Sequence, residues 1–275
     1  MSSIKDRQRA AARARLEKEM AERSAAAKKR RQRQAIIGSA LAVVAIAGAA
    51  VWVIAALGDD DKSTEAGAPP PGTVACNWIP DDGSGGGKVK DTGGVPPANV
   101  PNTGEATLTI DTSLGAVKAA VDLSKAPCTG AAFKYLADKK FWDGSKCHRL
   151  TTEGIKVLQC GDPSASGKGY RETDGQGGPN FKYPEENLPV NAKPPYPKGT
   201  IAMAKTAAPS TTGSQFFIVY ADTELGPDYT VLGTVTQGLD IVEGVAKAGS
   251  DNSNGQGDGH PKKEIDIKTM TMAAA

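Results

Sequence analysis

The stretch Thr212-Gly213-Ser214-Gln215-Phe216-Phe217-Ile218-Val219-Tyr220 gathers side chains that could act together on a ligand. From Gln215 onward it is a β-branched and aromatic run, which reads as a strand. Alternation puts Gln215, Phe217 and Val219 on one face and Phe216, Ile218 and Tyr220 on the other. A second pair of segments, Cys147-His148-Arg149-Leu150 and Ile155-Lys156-Val157-Leu158-Gln159, offers a guanidinium and another amide at similar alternation. An arginine, two glutamines and a phenylalanine contain no nucleophile, no acid–base pair and no metal ligand. Such a set suits holding a peptide and turning it rather than cutting it. Ser214 lacks the G-x-S-x-G frame of a hydrolase nucleophile. Two histidines, His148 and His260, are too few for a His-rich metal site, so neither metal nor cofactor is expected. Alternation also turns His148 away from the Arg149 face, which gives it a structural role.

The elements that must position these groups lie in the second half of the chain. Ala106-Thr107-Leu108-Thr109-Ile110 alternates as a strand, Ser113-Leu114-Gly115 is a turn, and residues 116–123 form the partner strand. Residues 131–137 have helical spacing after Thr129, a candidate cap, and residues 238–246 form a second short helix. Residues 264–270 are a final alternating strand. Many short antiparallel strands with two helices suggest a closed β-barrel, which leaves no exposed edge.

The first hundred residues are organised differently. Residues 1–34 carry 12 Lys/Arg against 4 Asp/Glu, which leaves 21 against 27 in the remainder, so a basic arm precedes a mildly acidic body. That balance argues against nucleic acid as the partner of the body. Residues 35–57 hold 23 residues without a charge, enough to cross a bilayer, where about 20 are needed. The basic flank stays inside, which makes this a single-pass anchor in the cell membrane with a cytoplasmic N-terminus and an outer domain. Residues 58–104, rich in Pro and Gly, read as a tether, with Cys76-Asn77-Trp78-Ile79 as an island that pins it to the domain. The run Gly83-Ser84-Gly85-Gly86-Gly87-Lys88 lacks the first Gly of a phosphate loop and has Val after its Lys. Cys76, Cys128, Cys147 and Cys160 are an even number beyond the anchor and fit an oxidising compartment. Their pairing stays open. Cys147 with Cys160 would bridge neighbouring strands, yet with Arg149 and Gln159 on one side, alternation puts the two sulfurs on opposite faces.

Four motifs in order, Phe141-Trp142-Asp143-Gly144 with Cys147-His148-Arg149-Leu150, Gln159-Cys160-Gly161-Asp162, Gly199-Thr200-Ile201-Ala202-Met203-Ala204 and Gly213-Ser214-Gln215-Phe216-Phe217, resemble the cyclophilin-type peptidyl-prolyl cis-trans isomerases. The resemblance covers residues 105–272, and the order of arm, anchor, tether and domain is similar to the membrane-anchored cyclophilins of actinobacteria. It implies a mainly β fold, a closed eight-stranded antiparallel barrel capped by two helices. It assigns Arg149 as the catalytic arginine and Gln159 as the glutamine behind it. Met203, Phe217 and Leu225 become walls of the proline pocket, Ala204 and Gln215 contacts to the peptide backbone, and Tyr229 stands where relatives have His. Proline-containing polypeptides are the implied substrates, exported proteins the implied clients, and a monomer the expected state. The sequence departs from the family in the ten-residue step from Arg149 to Gln159. It also has no pocket aromatic among Ile155, Lys156 and Val157, and Lys205 stands in place of Asn. A non-catalytic peptide-binding module on the same fold is the second reading.

Overall fold

A computed structural model of the protein describes residues 68–275 apart from residue 224. The basic arm and the apolar run read as an anchor lie outside the described residues. Among those described, no helix is long and apolar enough to cross a membrane. In chain order the strands are β1 (Thr73–Ala75), β2 (Ile79–Pro80), β3 (Lys88–Lys90), β4 (Asn99–Pro101), β5 (Glu105–Thr112) and β6 (Gly115–Asp122). Helix α1 (Pro127–Asp138) follows, then β7 (Arg149–Thr151), β8 (Val157–Cys160), β9 (Gly177–Pro179), β10 (Phe181–Lys182), β11 (Thr200–Met203), β12 (Phe216–Val219) and β13 (Val231–Gln237). Helix α2 (Leu239–Ala248), β14 (Asp258–Gly259) and β15 (Ile267–Ala274) complete the order.

Nine of these strands form one curled sheet in the order β14-β7-β8-β12-β11-β13-β6-β5-β15. The expected closed eight-stranded barrel is not formed: β14 and β15, at the two ends, are not paired with each other. β14 is only two residues long, and short links such as the isolated bridge between Lys146 and Asp266 cross the gap. Alternation sets the inner face. Ala106, Leu108 and Ile110 of β5 and Val117, Ala119 and Val121 of β6 point into a core shared with Phe133 and Leu136 of α1 and with Val242 and Val245 of α2. Trp142, Phe133 and Phe216, all fully buried, meet ring to ring at 5.1–5.7 Å, and burying each stabilises the fold by roughly 1.5–3 kcal/mol.

Helix α1 begins with Pro at its first position, where the missing N–H is no loss. Thr129 therefore sits inside the helix rather than capping it. The Glu186 carboxylate, brought in from a distant loop, accepts from the N–H groups of Thr129 at 2.6 Å and Cys128 at 3.4 Å. Negative charge at a helix N-terminus is favourable.

The stretch read as tether is folded from Thr73 to Pro101. β1 pairs with β4, β2 with β10, and β3 runs parallel to β9. Trp78 packs edge-on at 5.5 Å against both Phe181 and Tyr183, and Cys76 is disulfide-bonded to Cys128 of α1. The second disulfide joins Cys147 to Cys160. The alternation argument against it fails because Cys147 and His148 precede β7 and are not in extended pairing, so Cys147 turns into the same core as Cys160.

Candidate active site

The outer face of β7, β8, β12 and β11 carries the site. Register aligns Arg149 with Gln159, Gln159 with Phe217, and Phe217 with Ala202, and directly opposed residues share a face. A guanidinium, an amide and an aromatic ring thus stand in one row, Arg149 and Phe217 two strand spacings apart, about 10 Å. Beyond the row lies an apolar hollow formed by Val157, Ala202, Phe217, Val219 and Tyr196, with Leu225 and Tyr229 partly buried at its rim. Phe217 meets Tyr229 edge-on at 5.6 Å and Tyr196 at 6.1 Å. The Tyr196 hydroxyl donates to the Tyr229 carbonyl and accepts from the Tyr229 N–H, both at 2.9 Å, so it fixes that rim.

Met203 is not part of the hollow. Its register partner is Phe216, and both belong to the inner core, on the opposite face from Phe217. Val157 of β8, two residues before Gln159 on the same face, faces the hollow instead.

Several family motifs turn out to hold strands in place. Gly161, with φ of 98°, lies where a Cβ would come within 2.4 Å of the Ser214 carbonyl oxygen, so β8 and the start of β12 can cross only at glycine. Trp142 Nε1 donates to the carbonyls of Gly161 at 3.2 Å and Ser214 at 3.3 Å, and Ser214 Oγ donates to Gly161 O at 2.8 Å. This knot sets the height of Gln159 and Gln215.

The two glutamines bond to each other. Gln159 Nε2 donates to Gln215 Oε1 at 3.0 Å, and Gln215 Nε2 donates to the carbonyls of Gly175 and Gly177. The Gln215 carbonyl accepts from the N–H of Ala204 at 2.9 Å. The loop that carries Gly175 is tied down by the buried Asp162 carboxylate, which accepts from the Gly175 and Ser164 N–H groups at 2.6 Å each.

The guanidinium of Arg149 is oriented by Asp258 of β14 rather than by Gln159. Nε donates to Oδ1 at 2.8 Å and Nη2 to Oδ2 at 2.6 Å, a bidentate pair. These hydrogen bonds, donated by Arg149 to the Asp258 carboxylate, raise the Arg149 pKa further and hold the Asp258 carboxyl below its ordinary value. Three of the five guanidinium N–H groups, both on Nη1 and one on Nη2, remain for a ligand. Beside this pair, burial keeps the His148 imidazole neutral, its pKa pushed down to about 4, and both ring nitrogens lack a protein partner among the described residues. His148 therefore carries no charge at neutral pH.

Sequence reasoning missed Asp258, Tyr196 and Ala202. Asp258 is separated from Arg149 by 109 residues in a turn rich in Asn, Asp and Gly, and nothing local marks it. Tyr196 had one usable signal, an aromatic ring between prolines in a chain with only 5% aromatics.

Asp258→Asn keeps the shape and one acceptor but removes the charge, and is expected to lower kcat/KM about tenfold through kcat. The pH profile separates orientation from mere stability. Because the folded pKa of Asp258 is depressed, the pair is intact above the ordinary carboxylate value of about 3.9 and is lost as pH falls below it. Wild type should therefore show no loss attributable to this pair between pH 8 and about 5. Turnover of Asp258→Asn at or above the wild-type rate would mean that the carboxylate restrains the guanidinium instead of aiming it.

A curled half-barrel with two helices carries a cationic group in line with an aromatic ring and an apolar cluster. The chain belongs to the cyclophilin family: the family profile described as "Cyclophilin type peptidyl-prolyl cis-trans isomerase/CLD" matches residues 107–272. It is 37% identical over 212 residues to the probable peptidyl-prolyl cis-trans isomerase B of Mycobacterium leprae, covering 72% of this chain and 67% of that protein. The protein of the same name from Mycobacterium tuberculosis H37Rv is 37% identical over 196 residues, 65% of this chain and 60% of that one. The chain thus spans about two thirds or less of the length of these relatives. A crystal structure of a Cryptosporidium parvum cyclophilin-type isomerase, obtained in the presence of the dipeptide Ala-Pro, aligns with TM-score 0.51 at 25% identity. That alignment covers 99% of that chain and 62% of this one.

Proposed function

We propose that the protein accelerates cis–trans isomerisation of X-Pro bonds in exported polypeptides, from the outer side of a membrane to which residues 35–57 anchor it as a monomer. The observation that carries this reading is the row Arg149–Gln159–Phe217–Ala202 beside the apolar cluster of Val157, Val219 and Tyr196. Rotation about a peptide C–N bond faces a barrier of about 18–20 kcal/mol from resonance, while cis and trans X-Pro differ by only about 0.5–1 kcal/mol. The problem is kinetic. A free guanidinium N–H directed at the prolyl nitrogen stabilises its pyramidal, non-resonant form, which exists only near the transition state. The hollow holds the ring while the preceding carbonyl swings, and Ala204 and Gln215 line the path of the peptide backbone. No covalent bond is made or broken.

Arg149, Gln159 and Phe217 act on the bond in this reading, and Leu225 and Tyr229 close the hollow. A non-catalytic peptide-binding module is the second reading, favoured by one observation: the ion pair with Asp258 already engages two guanidinium donors. Exchange spectroscopy on an Ala-Pro peptide with the full-length chain decides between them, since the module binds the peptide without raising its cis–trans exchange rate. For the membrane reading, the chain should sediment with membranes and be released by detergent but not by salt.

A further inference from the structure

The loop that delivers Asp258 to Arg149 contains the only Asn-Gly pair of the sequence, Asn254-Gly255. Residues 249–257 join α2 to β14, and Asn254 and Gly255 are both exposed. Asn254 Nδ2 donates to Asp258 Oδ1 at 3.2 Å, and the same oxygen accepts from Arg149 Nε at 2.8 Å. One carboxylate oxygen therefore holds both the amide of the loop and the guanidinium of the site.

An asparagine followed by glycine is prone to lose ammonia, because glycine leaves its own backbone nitrogen unshielded and free to turn. Gly255 has φ of 134°, and nothing lies within 4 Å of the place a Cβ would take. Its N–H donates to the Asn252 carbonyl at 3.1 Å, a single bond in an exposed turn. The nearby Asn252-Ser253 pair is held differently. Asn252 Oδ1 accepts from Ser250 Oγ at 3.0 Å and from the Gly257 N–H at 2.9 Å, so its side chain is not free to meet the next nitrogen.

We propose that Asn254 is a site of spontaneous deamidation, and that the acid it yields loosens the hold of Asp258 on Arg149. The Gly255 nitrogen attacks Asn254 Cγ: the N–Cγ bond forms, the Cγ–Nδ2 bond breaks, and ammonia leaves with the proton that the Gly255 nitrogen gives up. Water then opens the cyclic imide to aspartate or isoaspartate, so one water enters and one ammonia departs. The donor to Asp258 Oδ1 becomes a carboxylate at the same place, and like charges at that distance repel. Either Asp258 turns from the new charge or the guanidinium is shared between two carboxylates. In both cases its free N–H groups shift from the row at Gln159 and Phe217. The effect on turnover rests on the isomerase reading; the modification itself does not.

The test incubates the full-length chain in warm, mildly alkaline buffer and follows each asparagine by mass spectrometry of a digest, beside a synthetic peptide of residues 250–260. Asn254 is expected to convert ahead of Asn252 and the other asparagines, more slowly than in the peptide because the Gly255 N–H is engaged. Loss of kcat/KM on an Ala-Pro peptide should track the acid fraction and reach about threefold. That is less than the effect of Asp258→Asn, because Asp258 keeps its charge. Asn254→Asp should show the loss from the start. Asn254→Gln, whose longer side chain closes the ring far more slowly, should hold its own initial rate throughout. The Arg149 Nε–H resonance gives a readout free of turnover: it should shift in step with conversion in wild type and stay fixed in Asn254→Gln. An Asn254 that stays an amide while the peptide converts would overturn the modification. Full conversion with kcat/KM and the Arg149 resonance unmoved would overturn its effect on the site. If no exchange is accelerated before incubation, the isomerase reading falls, and mass and resonance still judge the proposal.

Discussion

Arg149→Ala should lower kcat/KM for an Ala-Pro substrate by a hundredfold or more, and do so mainly through kcat. Removing one preorganised donor to developing charge typically lowers the rate by about 10²–10³, and no other cation stands in the row with Gln159 and Phe217 to replace it. Folding should barely respond. The Arg149 side chain is 38% exposed, so its pair with Asp258 is screened by solvent and contributes little to stability. Arg149→Lys keeps the charge but not the planar fork that meets both Asp258 oxygens while leaving Nη1 free, so it should recover little of the loss. Exchange spectroscopy at matched protein concentration measures the rate, and thermal unfolding checks the fold. An Arg149→Ala protein within threefold of wild type would show that the hollow and the backbone contacts carry the acceleration unaided.

The row that carries this prediction was legible because β8 carries Gln159 among apolar residues and Gln215 stands directly before the apolar run of β12, so alternation marks a face. β11 offers no such mark. All four of its residues, Thr200–Met203, are buried because both sides of the strand are covered. A run without polar–apolar contrast cannot tell which face Met203 takes, and likeness to the family placed it in the hollow where Ala202 belongs. The barrel closure failed for a related reason: strand counts follow from local pattern, but whether the first and last strands meet depends on the two-residue β14 and its non-local neighbours. Composition misled for residues 73–101. Their Pro and Gly content reads as linker, and their strands are held by partners 19 to about 90 residues away, such as Trp78 Nε1 on the Pro97 carbonyl and Asn180 on Asp91 and Thr92. The island of Cys76 and Trp78 was the one local sign that this segment is fastened.

That fastening sets the second large effect. Replacing Cys76 and Cys128 together by Ser is expected to reduce the free energy of unfolding by about 4 kcal/mol, against about 3 for the Cys147 and Cys160 pair. The bridged residues are 52 apart in the first case and 13 in the second, and the longer loop loses more chain entropy in the unfolded state when crosslinked. The segment should unfold with the domain rather than peel away beforehand. Its Trp78 covers Phe181 and Tyr183, both fully buried, and lifting it would expose core that the body cannot cover otherwise. Urea unfolding followed by tryptophan fluorescence and by far-ultraviolet circular dichroism should therefore give coincident transitions, with a lower midpoint and a similar slope. If the two signals separate, with fluorescence changing first, residues 73–101 form an independent unit.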